Sequence, residues 1–167
     1  MGHGLEAVET MIGLRYATAA YATEGHPPAT ILSRLNMLLC RTGTVTTATA
    51  VIATYRPGTG QLRWARAGHP PLLLADGDRA TTCLPNPQGP LLGVFPAASL
   101  AQQSHQLLPG HSVLLYTDGL IKRGPLDEGI DLLSDRIAGG QPAAVLGQLD
   151  FDAAGDDACT LLAQRIA

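Results

Sequence analysis

Two acidic stretches carry residue types able to do chemistry. The first is "LLYTDGL", residues 114–120. With Val113 before them, Leu114, Leu115 and Tyr116 read as a buried strand, and Asp118-Gly119 ends it. A carboxylate at the mouth of a core strand is held firmly while facing a cleft. Gly119 permits a sharp exit and leaves room for a ligand. Taken alone, the stretch reads equally well as a plain Asp-Gly turn. The second is "AGDDACTLL", residues 154–162, with Asp156 and Asp157 just before a final strand. In isolation a solvated acidic turn explains it better. If Asp156 joins Asp118 at one end of a sheet, the two carboxylates suit a hard divalent cation, Mg²⁺ or Mn²⁺, bound through oxygen and water. Two ligands make a poor site, so a third carboxylate is expected close by.

Other candidates are weaker. His69 sits in "AGHPP", residues 67–71, where the glycine and prolines shape a bend between strands. It could touch a substrate; hydrogen bonding to a loop carbonyl is the commoner role. His3 lies between glycines at a helix entrance, where backbone N–H groups can meet phosphate. His26, His105 and His111 share no metal-ligand spacing. No GxSxG, GxxxxGK[ST] or HExxH is present, which removes the serine-hydrolase, P-loop and zincin readings.

Composition narrows the class. The 167 residues suit one domain with a substantial core. A net charge of −3 without a basic block argues against nucleic acid. No apolar run is long enough to span a bilayer, and the first residues lack signal-peptide features. Cys40, Cys83 and Cys159 are odd in number and form no CxxC. They read as small buried residues in a reducing cytosol.

These residues need elements to position them. Leu5, Val8, Ile12, Arg15/Tyr16 and Ala19 recur at helical spacing, with one slip at the arginine, predicting a helix to about Ala22. Pro28 opens a second helix striped by Ile31, Leu32, Leu35, Leu38 and Leu39, with Gly43 as its stop. Strands are expected over Thr46–Tyr55 and Gln61–Arg66 as a hairpin, and over Leu72–Ala75 and Ala80–Cys83 as another. Further strands are expected over Ser104–Leu108 and Ser112–Thr117. A helix over Leu126–Ala138, a short one over Pro142–Leu149 and a strand over Ala158–Ile166 complete the chain. Hairpins with segregated helices predict an α+β fold.

Taken together, the stretches resemble the SpoIIE/RsbU-type branch of the metal-dependent PP2C (PPM) serine/threonine phosphatases. The matching pieces come in family order: Gly2-His-Gly4, Arg34-Leu-Asn36, "AGHPPLLL" at 67–74, "GPLLGV" at 89–94, "LLPGHSVLLYTDGL" at 107–120, "LDEGIDLL" at 126–133 and "DDACTLL" at 156–162. The resemblance covers essentially the whole chain. It implies an αββα sandwich of two antiparallel sheets flanked by helices. It also implies a two-metal Mn²⁺ or Mg²⁺ site whose water attacks phosphoserine or phosphothreonine, with Asp118 and Asp156 as catalytic metal ligands and Asp157 beside them, counted with the metal set. A phosphorylated STAS-domain anti-anti-sigma protein is the implied substrate, in the cytoplasm, with neither nucleic acid nor membrane as partner. The N-terminal helices, Leu5 to Arg41, offer a route to a homodimer.

In that family Gly-His-Gly ends a longer motif, Asp-Val-X-Gly-His-Gly, and Met1 stands at X. The resemblance therefore places a metal-bridging aspartate two residues before Met1, with the first strands also upstream. The expectation is a single phosphatase domain over 1–167, incomplete at its N-terminus and short of one ligand. The alternative is a catalytically inactive PP2C-like regulatory or protein-binding domain. Two departures bear on substrate choice. "LIKRGPLDEG" lacks the family's acidic-Ser/Ala-Arg sequence after Asp-Gly, and "GTVTTA" at 43–48 is polar where relatives carry an acidic-aromatic pair.

Overall fold

The computed structural model describes residues 5–42, 47–76, 80–121, 126–138, 144, 146, 147 and 158–166. The fold is mixed, with helices and two antiparallel sheets. The chain forms two compact units, residues 1–69 with 86–105, and 70–85 with 106–167.

In the first unit, helices α1 (Leu5–Thr23) and α2 (Pro28–Arg41) precede strands β1 (Ala50–Arg56) and β2 (Gln61–Ala67). Pro27, extended at φ −70 and ψ 156, leads into Pro28 at the first turn of α2, where a missing N–H costs nothing. Helix α2 buries Ile31, Leu32, Leu35 and Leu39 against Ala65 and Ala67 of β2, with Leu92 and Leu100 completing the core. The small alanines let the helix sit close on the strand. Strand β2 is buried on both faces, because Leu62 and Trp64 are also covered. Its hairpin with β1 pairs Arg56 with Gln61. Gly60, at φ 71, closes the turn by donating to the Arg56 carbonyl at 2.8 Å. Strand β5 (Gln102–Gln106) flanks β2 on its other side, giving the order β1-β2-β5.

In the second unit the order is β4-β3-β6-β7, built from β3 (Leu73–Ala75), β4 (Thr81–Cys83), β6 (Ser112–Tyr116) and β7 (Thr160–Gln164). All its pairings are antiparallel. Helix α3 (Leu126–Ala138) packs Ile130, Leu133 and Ile137 on Leu73, Ala75, Leu114 and Tyr116. Acidic residues open α3 and Arg136 closes it, in the sense the helix dipole favours.

Most elements lie where the sequence sets them, and the departures have physical causes. Helix α1 is apolar on two sides. The stripe read from the sequence faces solvent: Val8 is 46%, Ile12 44% and Tyr16 73% exposed. The helix packs instead through Leu14, Ala17 and Tyr21 against the core that α2 builds. Strand β1 begins at Ala50 because Ala48 is already bridged to Leu92 by two backbone hydrogen bonds. Strands β5 and β6, neighbours in the chain, belong to different sheets. Between them a turn closes with the His111 N–H donating to the Leu108 carbonyl at 3.0 Å, with Gly110 at φ 89. The expected stop at Gly43 and most of the expected helix over 142–149 lie outside the described residues, although 144 and 146 are helical. Among the described residues, no helix is long and apolar enough to cross a membrane.

Candidate active site

Asp118 stands at the end of β6, an inner strand paired with β3 and β7. Leu114 and Tyr116 are buried, so the strand is fixed before the carboxylate is reached. Thr117 is still extended, at φ −87 and ψ 159. Asp118 then opens a 3-10 turn, Asp118–Leu120, in which its carbonyl accepts the Ile121 N–H at 3.0 Å. Gly119 is buried inside that turn. The residue before the carboxylate is tied to β7 twice. Thr117 N–H donates to the Cys159 carbonyl at 3.0 Å, and Thr117 Oγ1 accepts the Cys159 N–H at 2.9 Å. This continues the register Tyr116↔Thr160 by one place. The strand that follows Asp156 and Asp157 in the sequence therefore starts beside the Asp118 turn. Asp156 and Asp157 themselves lie outside the described residues, as does His3.

The turn leans on α3 through a glycine. A Cβ added at Gly129 would lie 2.5 Å from the Ile121 carbonyl oxygen. Only glycine allows α3 to approach the exit of the turn so closely. On the same face of the sheet the Tyr116 hydroxyl is buried without a hydrogen-bond partner. Burial pushes its pKa up, and the neighbouring Cys83 thiol adds to the shift. Cys83 is exposed, as is Cys159, where the sequence reading expects buried cysteines; the Cys83 pKa is still raised, by partial burial first and then by Asp131 and Asp127 of α3.

In the first unit, two motif stretches are interlocked. Arg66 donates from its guanidinium to the His69 carbonyl and from Nε to the Pro87 carbonyl at 3.3 Å. Burial lowers its pKa from the usual arginine value. Gly68 takes φ 62 and donates its N–H to the Gly89 carbonyl at 3.1 Å. Added Cβ atoms would strike Leu91 from Gly68 and the Arg66 carbonyl from Gly89. His69 thus sits at a rigid bend. Asn36 is the other clamp. Buried at 1% exposure, it donates from Nδ2 to the Phe95 carbonyl at 2.7 Å and accepts the Gly93 N–H at 2.8 Å. The sequence signals for these roles were a lone polar residue on the apolar face of α2 and a glycine inside an otherwise good helix.

Comparison with known proteins decides the family. The description Stage II sporulation protein E (SpoIIE) matches residues 1–165. This chain belongs to the SpoIIE family. The solved structures similar to it agree on the PP2C-type fold. The RsbU and RsbW domains of a Mycobacterium tuberculosis protein match at 28% identity and a TM-score of 0.82, covering 100% of this chain and 50% of that one. RsbX in complex with magnesium matches at 18% identity and a TM-score of 0.74, covering 97% and 75%. The SiaA PP2C domain of Pseudomonas aeruginosa matches at 22% identity and a TM-score of 0.72, covering 99% and 72%. The chain spans half the length of that solved mycobacterial chain.

For a SpoIIE-family chain the natural question is whether the donors suit a metal. Asp118 supplies a hard oxygen, the kind Mg²⁺ and Mn²⁺ take. Among the described residues, no group of three His, Cys, Asp or Glu could hold an ion. Of the three expected ligands, Asp118 lies within the described residues. The remaining expected ligands, Asp156 and Asp157, are outside them.

Proposed function

We propose that residues 1–167 act as one metal-dependent phosphatase domain of bacterial sigma-factor signalling. It hydrolyses phosphoserine or phosphothreonine on a STAS-type anti-anti-sigma protein. The observation that carries this reading is the double hydrogen bond between Thr117 and Cys159. It starts β7 next to the Asp118 turn, and consecutive Cα atoms are only about 3.8 Å apart. Asp157 and Asp156 precede Ala158 by one and two residues, so the covalent chain limits how far their carboxylates can stray from Asp118. In this reading Asp118, Asp156 and Asp157 hold Mn²⁺ or Mg²⁺, with Asp118 and Asp156 catalytic. Such ions supply a water acidic enough to be a nucleophile near neutral pH and offset charge on phosphoryl oxygens. The chain's own part is positional. A strand buried on both sides and a turn braced by α3 keep the Asp118 carboxylate in place without rearrangement during the reaction. The pairing of RsbU with RsbW in the mycobacterial protein supports a sigma-factor setting.

The test is Mn²⁺-dependent release of phosphate from p-nitrophenyl phosphate and from a phosphorylated STAS protein, alongside Mn²⁺ binding followed by electron paramagnetic resonance. Asp118→Asn should lower both bound Mn²⁺ and turnover, by more than the roughly 10–100-fold that loss of an outer-shell partner costs. Equal turnover in the variant, or turnover that survives chelation, would refute the assignment. Tight STAS binding without Mn²⁺ binding or hydrolysis would favour the inactive, protein-binding alternative. Activity gained on adding an upstream Asp-Val segment would identify the bridging ligand as the missing part.

A further inference from the structure

Strand β4 ends its sheet with one side open. In the order β4-β3-β6-β7 it pairs only with β3 among the described residues. Two hydrogen bonds fix which backbone groups face which way. The Leu84 N–H donates to the Leu72 carbonyl at 2.8 Å, and the Ala80 carbonyl accepts the Asp76 N–H at 3.1 Å. Bonding direction alternates along an antiparallel strand, so residues 80, 82 and 84 bond inward to β3. The N–H and C=O groups of Thr81 and Cys83 therefore point outward, a ready template for another strand. Neither a charge nor a proline guards the edge, since β4 reads Thr81-Thr82-Cys83.

Helix α3 says what kind of strand would sit there. Cys83 pairs with Leu73 and Leu73 with Leu114, and both leucines belong to the cluster on which α3 packs. The side chains of Cys83 and Thr81 therefore stand on the face that α3 covers. Along α3, Asp127 lies about 60° and Asp131 about 100° from the buried Ile130, on the same side. That side overlooks β4, because both carboxylates act on the Cys83 thiol. Gly129, about 100° the other way, faces Ile121 instead. Both aspartates are exposed, and among the described residues neither forms an ion pair. Beside Cys83 lies Tyr116, 2% exposed, its hydroxyl without a hydrogen-bond partner. The Thr81 hydroxyl is likewise buried and unpaired. Two carboxylates and two hydroxyl oxygens thus converge on one crevice, all of them able to accept from a cationic donor.

Spacing favours an extended occupant. Asp127 and Asp131 are about 6 Å apart along the helix axis. Alternate side chains of a strand repeat at about 6.6 Å. A second copy offering its own β4 brings no cation to this crevice, because that strand is Thr-Thr-Cys. We propose that the open edge of β4 takes up an extended segment of a partner protein by strand addition, with Lys or Arg at alternate positions seated against Asp127 and Asp131. Main-chain bonds to Thr81 and Cys83 hold the segment, and the carboxylates select for positive charge. The site goes beyond the phosphatase reading and is read by binding, so it stands or falls independently of turnover.

The test titrates the full chain with a dye-labelled peptide of alternating lysine and threonine, followed by fluorescence anisotropy. The matching glutamate–threonine peptide is the control. The lysine peptide should bind and the glutamate peptide should not. Asp127→Asn combined with Asp131→Asn should weaken binding at least tenfold. Glu9→Gln, which removes an exposed carboxylate elsewhere, should leave it unchanged. N-methylation of every second peptide amide, in one of the two registers, should also weaken it at least tenfold. Hydrogen exchange at the Thr81 and Cys83 amides should slow when the peptide binds. Absence of binding, or binding indifferent to the two aspartates, would overturn the proposal. Binding that tolerates N-methylation in both registers and leaves those amides unprotected would reduce the site to charge attraction and sink strand addition. A dimer of the chain that the peptide disperses would assign the edge to a second copy and remove the partner. If the double variant fails to fold, Asp131→Asn alone supplies the same readout.

Discussion

A hydroxyl without a partner and an amide with three tell opposite stories at the scale of single residues. The Tyr116 hydroxyl is buried and unpaired, so its removal takes away a desolvated polar group together with nothing it bonds. Tyr116→Phe should leave stability unchanged or raise it by about 1 kcal/mol, as chemical denaturation will show. The pH dependence follows from the raised pKa of Tyr116. Below about pH 10 both folded and unfolded chains keep the phenol proton. Above it the unfolded chain ionises first, so stability falls with rising pH. That alkaline loss should be smaller in Tyr116→Phe than in wild type. Asn36 behaves differently. Its amide holds the Phe95 and Pro96 carbonyls and the Gly93 N–H while almost wholly buried. Asn36→Leu strands those backbone groups and should cost about 1–3 kcal/mol in the same measurement. The sequence displayed Asn36 only as part of "RLN". A polar residue on an apolar stripe was visible, but its partners lie 57 to 60 positions away and no local pattern reports them. Asp118 was more legible, because a run of buried strand residues ending in Asp-Gly is a local signal.

Elements were legible where one periodicity dominated. Helix α3 spans the residues its stripe marked, Leu126–Ala138, since Ile130, Leu133 and Ile137 leave only one face to bury. Helix α1 was misjudged in its orientation because it has two apolar faces, and spacing alone does not rank them. The structure buries the face with Leu14, Ala17 and Tyr21 and leaves the bulkier one out. Strand ends were blurred for a related reason. Whether Ala48 joins β1 depends on Leu92, which reaches it from a distant loop. Close approach between elements yields a sharp prediction. Gly129→Ala puts a methyl 2.5 Å from the Ile121 carbonyl, and backbone must move to relieve it. Alanine favours an isolated helix over glycine by about 1 kcal/mol, so a purely local effect would stabilise. The expected outcome is the reverse, a loss of about 1–3 kcal/mol from overpacking, measured by thermal melting. A rise in melting temperature would show that α3 does not brace the Asp118 turn.

At the scale of the molecule, two hydrophobic clusters divide the work. One gathers α2, β2, Leu92 and Leu100; the other gathers α3 with the inner strands β3 and β6. Leu32→Ala in the first and Leu114→Ala in the second should each cost about 2–5 kcal/mol, because both side chains are almost fully buried. Equilibrium unfolding of the two variants checks this. The α+β class was readable from hairpins followed by helices, whereas the assignment of β5 and β6 to separate sheets was not. Their short connection resembles any hairpin loop, and the partners that part them, β2 on one side and β3 and β7 on the other, lie elsewhere in the chain. The bond from Cys159 to Thr117 has one more implication, for the order in which a ribosome delivers these parts. Every segment of the first unit has been synthesised by residue 105. Thr117 must wait for a residue made 42 positions later before its side chain is engaged. A nascent chain can therefore carry every segment of the first unit while its acidic turn still lacks its anchoring strand. Any protease that clips the tail before β7 docks would remove the strand to which Thr117, beside the acidic turn, is tied.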